Sequence, residues 1–591
     1  MFTTRPELTG SFGMVASTHW LATATGMSIL EQGGNAFDAA VAAGFTLQVA
    51  EPHLNGLGGE VPAIFTTAAN PVPTVLCGQG VAPAAATPAY FRELGLDLVP
   101  GNGLLAATTP GAWDGWLMLL RDHGTFTLRQ VLDQAIGYAR TGVPWLPGIR
   151  TTIDAVTTHF REHWPSSARL WLEQRADAVR QPALADTYER LLAAAVGPTR
   201  EAQIDAARKA WSQGFIAEAI EDFGRQAFRD ESGADHAGLL TGQDLAQWQA
   251  SYEDALTVDL PGGWTLAKIG AWSQGPALAQ QLQLLRGFDL EYSGGRPTAR
   301  TIHLAVEAAK LAFADREAWY GDHPDVPVKD LVSEQYADQR RSLIGDTASL
   351  ELRPGSPGGR TPVFAEYIAQ GRGIGAGEGK MGGGLGEPTV RTDGVTRGDT
   401  VHIDIVDRWG NMISATPSGG WLQSSPTIPE LGFCLNSRAQ MFWLDEGLPN
   451  SIGPGKRPRI TLSPSLALRD GQPRIAFGTP GGDQQDQWQL VLWLAHTVGG
   501  LNLQAAIDSP AWQSAAFPSS FYPRSWEPGQ LVVESRHGEE VLGELRERGH
   551  TVVDAGPWAL GRLSAVSRDP ETGWLRGAAN PRGSQGYAAG R

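Results

Sequence analysis

The stretch TRGDTVHIDIVDRWGNMISAT, residues 396–416, decides how this chain is read. From Val401 apolar and polar residues alternate (VHIDIVD), RWGN turns, and MISAT returns. Period-two alternation on both sides of a short glycine-containing turn predicts a hairpin. The approach to it is different. Between Gly371 and Gly386, nine of sixteen residues are glycine, and such a segment loses too much backbone entropy on ordering to be a core element. A glycine-laden linker therefore runs up to a strand at Asp399-Thr400. A threonine hydroxyl is a weak nucleophile unless a base stands beside it. If the chain is cut before Thr400, the new α-amino group, with a pKa of about 7.7–8, can be that base. The plainer alternative is that 371–400 is only a linker.

Outward from this junction, the chain divides by character. Residues 15–49 read as a short strand and two helices. The first helix covers Leu21 to Glu31 and stops at Gly33-Gly34; the second starts from Asn35, a good N-cap. A glycine-rich loop, EPHLNGLGGE (51–60), follows. Residues 110–350 carry mostly helical spacing, as in LRQVLDQAIGYAR and TARTIHLAVEAAKLAFADREAWY. After Val401, ITLSPSLAL and PRIAFGT read as strands and QQDQWQLVLWLAHTV as a buried helix. The expectation is a helix-rich first part, a linker at about 371–399, and a strand-rich second part. At 591 residues the chain exceeds what one core usually supports, so two lobes or one large layered domain are expected.

Composition excludes several classes. Asp and Glu outnumber Lys and Arg by 63 to 47, a net charge of −16, which argues against nucleic acid as the main partner. Two cysteines, Cys77 and Cys434, give no disulfide framework and no CxxC spacing. The N-terminus lacks a basic then apolar signal, and no run of 18 apolar residues occurs, so a cytoplasmic protein without a membrane partner is expected. HFREH (159–163) matches a zinc pattern in which His159 and His163 face one metal with Glu162 as base. No third ligand is marked and the segment sits amid solvated charges, so no metal is expected. GEGKMG (Gly377–Gly382) satisfies G-x-G-x-x-G but lacks the strand before and helix after that a dinucleotide site needs. GPGKRP (Gly453–Pro458) is only half a phosphate loop.

Four stretches, in order, resemble the γ-glutamyltransferase family of N-terminal nucleophile hydrolases: GGNAFDAAVAAGFTLQVAEPHLNGLGGE (33–60), GDTVHIDIVDRWGNMISAT (398–416), GPGKRP (453–458) and GTPGGDQ (478–484). The resemblance implies an α+β fold, a four-layer αββα sandwich. It also implies a proenzyme that cuts itself between Asp399 and Thr400. The large chain (1–399) and small chain (400–591) then stay together as a heterodimer. Thr400 would attack a small-molecule amide and form an acyl-enzyme, with no cofactor. Gly481 and Gly482 match the glycines whose N–H groups form the family's oxyanion hole, a role that suits glycine's backbone freedom. His402 and Asn411 match the signature after the nucleophile and are read as supporting structure.

The departures concern substrate. Val401 stands where the family has a second threonine, and Ser418 where active transpeptidases have a threonine; Ser418 can still hydrogen-bond Thr400. Gln79 replaces the arginine that grips the substrate α-carboxylate. Gly420, Arg438 and Met441 replace the asparagine, glutamine or glutamate, and aspartate that hold the α-ammonium. Ile460 and Thr461 replace paired serines, and the segment before GPGKRP is too short for the family's lid loop. A cation at 438 with no acid at 441 would repel a free amino group. The expectation is an amidohydrolase for a non-glutamyl acyl group, with Arg438 available to a carboxylate. The alternatives are a glutathione hydrolase or transpeptidase with rebuilt contacts, and a catalytically weak relative that binds a metabolite.

Overall fold

The computed structural model describes residues 2–175, 177–375, 400–583 and 586–591. Asp399, most of the expected linker, and the Gly377–Gly382 pattern lie outside them. The frame is two seven-stranded sheets. The first runs Tyr587–Gly590, Gly13–Ser17, Ile403–Asp407, Met412–Ala415, Val61–Thr67, Asn70–Gly78, Ser251–Asp254 from edge to edge. The second runs Leu8–Gly10, Leu575–Ala579, Ser564–Arg568, Gln472–Gly478, Ser465–Arg469, Trp264–Lys268, Leu256–Leu260. The hairpin read from the sequence is present: Ile403–Asp407 pairs antiparallel with Met412–Ala415.

The topology interleaves strands of the helix-rich first part with those of the strand-rich second part in the same sheets. The hairpin is flanked on one side by Gly13–Ser17 and on the other by Val61–Thr67, both from the first part. Residues 251–268, inside the span read as mostly helical, supply three strands. Helical spacing dominated that span because its helices are longer than its strands. The start of the expected linker is also ordered: Ile374 bridges Trp526, and Gly375 N–H donates to the Trp526 carbonyl at 3.2 Å.

Helices Trp20–Glu31 and Ala36–Ala50 pack with the first sheet in one apolar cluster. The Asn35 side chain accepts from Phe37 and Asp38 N–H, and Asp38 accepts from Asn35 N–H, so the expected cap is a full capping box. All fifteen residues of Ala36–Ala50 are buried. An alanine-rich helix suits that position because neighbours approach closely. A Cβ on Gly44 would come within 2.5 Å of the Trp116 ring. Helices Pro276–Leu285, Ala299–Trp319 and Gln485–Thr497 pack with the second sheet in another cluster. A third cluster takes residues from both sheets, among them Ile64, Val75 and Val406 from the first and Leu466, Ala476 and Val566 from the second. No helix among the described residues is long and apolar enough to cross a membrane.

Four histidines are buried in their neutral form. Burial lowers His19 and His537 to about 4 and His53 and His550 to about 3. His19 Nδ1 also accepts the Leu21 N–H that caps its helix, which requires the unprotonated nitrogen. In the unfolded chain all four take a proton below about pH 6.5. Their contribution to stability is therefore full above that pH and is lost as pH falls from 6.5 toward 4. At pH 5.5 the loss is about 5 kcal/mol in total. Glu51 acts in the opposite direction: burial raises it to about 7, so its protonated folded form returns about 2 kcal/mol over the same interval. Calorimetry at pH 7.5 and 5.5 is expected to show a clear net drop in Tm on acidification.

Candidate active site

Thr400 is 1 % exposed and sits just before the Ile403–Asp407 strand. It forms an antiparallel bridge with Ser418, and Ser418 in turn bridges Glu60. The Thr400 Oγ1 and Ser418 Oγ atoms are 3.2 Å apart. The expected nucleophile and its expected hydroxyl partner are thus in hydrogen-bond contact. The two other matched residues are engaged in the hairpin. His402 Nδ1 meets Thr416 Oγ1 at 2.9 Å, and Nε2 meets Asp404 Oδ1 at 3.0 Å. Asn411 donates to Asp407 at 2.7 Å and accepts from Ala68 N–H at 2.9 Å. Val401 is fully buried in the apolar cluster of the first sheet.

The residues expected to meet substrate fall into two groups. Met441 and Ile460 share an apolar cluster with Trp421. Gly420, at φ +64, carries no side chain for a physical reason: a Cβ there would come within 2.8 Å of Gly59 N. The polar group is Arg438, Gln79 and Thr461, all buried. Gln79 donates to the Gly80 carbonyl at 2.9 Å, while its Oε1 and the Thr461 hydroxyl have no hydrogen-bond partner among the described residues. Arg438 stacks its guanidinium 4.9 Å from the Trp421 ring, and its Nε donates to Glu60 Oε1 at 2.6 Å. This contact corrects the view that the site's charge is inverted. The acid absent at 441 arrives from residue 60, and the pair is neutral when both groups are ionised. Burial raises the Glu60 pKa and the Arg438 charge works against that rise. The sequence reading missed Glu60 although it ends the quoted glycine loop.

The loop after the Gln472–Gly478 strand lies beside the nucleophile strand. A Cβ on Gly478 would come within 2.3 Å of the His402 ring. Gly481 has φ +128 and Gly482 φ +51, conformations that only glycine adopts readily. At Gly481 a Cβ would also strike Trp488 at 2.0 Å. A buried charge network holds the loop from behind. Asp483 accepts from Arg316 and, at 2.8 Å and 2.6 Å, from Ser520 N–H and Oγ. Gln274 Nε2 donates to the Asp483 carbonyl at 3.3 Å, and Arg316 donates to Gln274 Oε1 at 3.0 Å. Burial raises the Asp483 pKa, but Arg316 and the two Ser520 donors outweigh it and hold the carboxyl below its ordinary value. Neither Arg316 nor Gln274 was marked by any local pattern.

The remaining motifs resolve structurally. Lys456 of GPGKRP donates to the Ser451 carbonyl at 2.8 Å, and Arg457 pairs with Asp322 at 2.7 Å and with Glu253. His159 and His163 face each other on Pro147–His163 with ring centres 5.2 Å apart, and His159 packs edge-on against Trp164. Among the described residues, the three-residue group with metal-like spacing is elsewhere, at His303, Glu307 and His550. There Glu307 is already paired with Lys310 and Arg353.

The Thr400–Ser418 hydroxyl pair thus stands at the head of a central hairpin whose strand packs against the strand leading into the Gly481-Gly482 loop. The chain belongs to the gamma-glutamyltranspeptidase family, which it matches over residues 22–590. This is a family of enzymes. A solved structure of a protein designated LmbA is similar over the whole of both chains, with 54% identity and a TM-score of 0.93. The acylase ACY 1 proenzyme of Pseudomonas sp. strain SE83 is 30% identical over 96% of this chain and 92% of its own length. The oxamate amidohydrolase proenzyme of Klebsiella pneumoniae is 29% identical over 98% of each.

Proposed function

We propose that this protein is a self-processing amidohydrolase that acts through a Thr400 acyl-enzyme, on a four-layer αββα frame, with a preference for non-glutamyl acyl groups. The observation that carries the reading is the Thr400–Ser418 hydroxyl pair at the head of the hairpin strand. The apolar cluster shared by the two sheets, with helices packed against each, supports the layered frame. Relatives named as acylase and oxamate amidohydrolase support the acyl preference.

The steps follow from the chemistry of the junction. The Thr400 hydroxyl attacks the Asp399 carbonyl carbon, the Asp399–Thr400 C–N bond breaks, and an ester joins the two residues. Water hydrolyses the ester, leaving the Asp399 carboxylate and a free Thr400 amine. In the mature enzyme that amine takes the hydroxyl proton as the oxygen attacks the substrate carbonyl. The Gly481 and Gly482 N–H groups are the donors assigned to the developing oxyanion. The substrate's amine departs with a proton, and water releases the acyl group as a carboxylic acid. Ser418 orients the Thr400 oxygen throughout.

Intact mass of freshly purified protein tests the first half: a 192-residue fragment beginning at Thr400 (591 − 399) is expected. A panel of acyl-anilides tests the second. Turnover of non-glutamyl anilides well above γ-glutamyl anilide is expected. The reverse order would make the protein a glutathione hydrolase or γ-glutamyl transpeptidase with rebuilt contacts. An uncut chain with no turnover would favour a metabolite-binding relative.

A further inference from the structure

Segment 366–375 docks on the loop 518–526, and that loop also holds the double-glycine turn. The Tyr367 hydroxyl donates to the Pro523 carbonyl at 2.8 Å. Trp526 N–H donates to the Gly373 carbonyl at 3.1 Å, and Gly375 N–H to the Trp526 carbonyl at 3.2 Å. Gly373 sits at φ +85, and a Cβ there would come within 2.5 Å of the Arg524 carbonyl. Glycine is what lets the two backbones meet at this point.

From the loop, hydrogen bonds run on toward the site. Arg524 is 1 % exposed and stacks 4.2 Å from the Trp443 ring. It donates to the Ser520 carbonyl at 2.6 Å and to the Gln440 and Phe442 carbonyls at 2.8 and 2.7 Å. Ser519 N–H closes the loop on the Ser525 carbonyl at 3.1 Å. Ser520 gives its N–H and hydroxyl to Asp483, and the Ser519 hydroxyl reaches the same carboxylate at 3.2 Å. Asp483 directly follows Gly481 and Gly482. Ser520, Arg524 and Asp483 are all buried, so a bond lost among them is not made good by bulk water.

We propose that segment 366–375 is a positioning element for the Gly481-Gly482 loop. Tyr367 and Gly373 set the 518–526 loop, and that loop sets Asp483. The segment lies upstream of the Asp399–Thr400 bond, so it keeps this role after the proposed cut. For its catalytic meaning the inference rests on the amidohydrolase reading.

Gly373→Ala tests it, because the added methyl group has to leave the Arg524 carbonyl and the segment undocks. Backbone hydrogen exchange, followed by mass spectrometry on the purified protein, reads the consequence without requiring turnover. Faster exchange is expected in 517–526 and in 481–485 as well as in 366–375. In the acyl-anilide assay kcat is expected to fall about tenfold or more, with KM little changed. Asp483→Asn supplies the link. Two changes that act through one loop are expected to cost the double variant less kcat than the product of the single losses. Should Gly373→Ala fail to fold, Tyr367→Phe removes one bond and adds no atom, and a smaller rise in exchange over 517–526 and 481–485 is expected. Exchange that changes in 366–375 alone, or single losses that multiply in full, would overturn the proposal. Failure of the amidohydrolase reading looks different: the wild type stays uncut and turns over no anilide, while exchange at 481–485 still decides whether the segment positions the loop.

Discussion

Thr400→Ala is expected to leave one continuous chain of 63.1 kDa and to lower amide hydrolysis by about 10⁴-fold or more. Both losses have one cause in the proposed mechanism, in which the same oxygen cuts the chain and attacks the substrate. The fold is expected to survive. The substitution deletes one hydroxyl whose neighbour, Ser418, remains in its backbone bridge to Glu60, and small losses of this kind cost about 1 kcal/mol. Thr400→Ser supplies the control, since it keeps the oxygen and is expected to retain slower processing and measurable turnover. Mass spectrometry and an anilide assay on the three proteins make the comparison. A Thr400→Ala protein that is still cut at residue 400, or still fully active, would remove Thr400 from both roles.

Asp483→Ala is expected to be the most damaging change away from the nucleophile. Asp483 binds Arg316 and both the N–H and hydroxyl of Ser520, all inside the protein. Arg316 is fully buried, so truncating Asp483 strands a charge; breaking a buried pair in this way costs about 3–5 kcal/mol. Its remaining acidic neighbour, Glu317, lies 3.6 Å away and already serves Arg459. The damage reaches the site because Asp483 directly follows Gly481 and Gly482, and Gln274, itself held by Arg316, donates to the Gly482 and Asp483 carbonyls. If Gly481 and Gly482 supply the oxyanion donors as proposed, loosening the loop misplaces them, an effect of about 10²–10³ in kcat. Asp483→Asn keeps one acceptor oxygen for the two Ser520 donors but not the charge, and an intermediate loss is expected. Thermal unfolding and kcat, measured together, check the link. A destabilised Asp483→Ala protein with normal kcat would show that the network is structural only.

The hairpin, the Asn35 cap and the buried 485–497 helix were legible because each depends on neighbours a few residues away. Alternation, capping and turn chemistry are local, and those residues form the expected elements. How the helix-rich and strand-rich parts combine in the sheets was not legible, for the opposite reason. Strand pairing is a contact between distant segments, and nothing local in Gly13–Ser17 or Val61–Thr67 says that the 403–415 hairpin will insert between them.

The same distinction runs through the site. Thr400 stood out in the sequence through the chemistry of its junction, and Ser418 and the double glycine through the family resemblance. The state of Arg438 did not. From the sequence it was an unopposed cation; in the fold it is paired with Glu60, 378 positions away. The Arg316 and Gln274 support for the Gly481-Gly482 loop also comes from remote segments. The sequence by itself determined the family, the nucleophile candidate and the local elements, since these rest on short-range patterns. Only the tertiary structure decided which buried charges are paired and which donors remain unused, because burial and pairing arise when distant segments pack together.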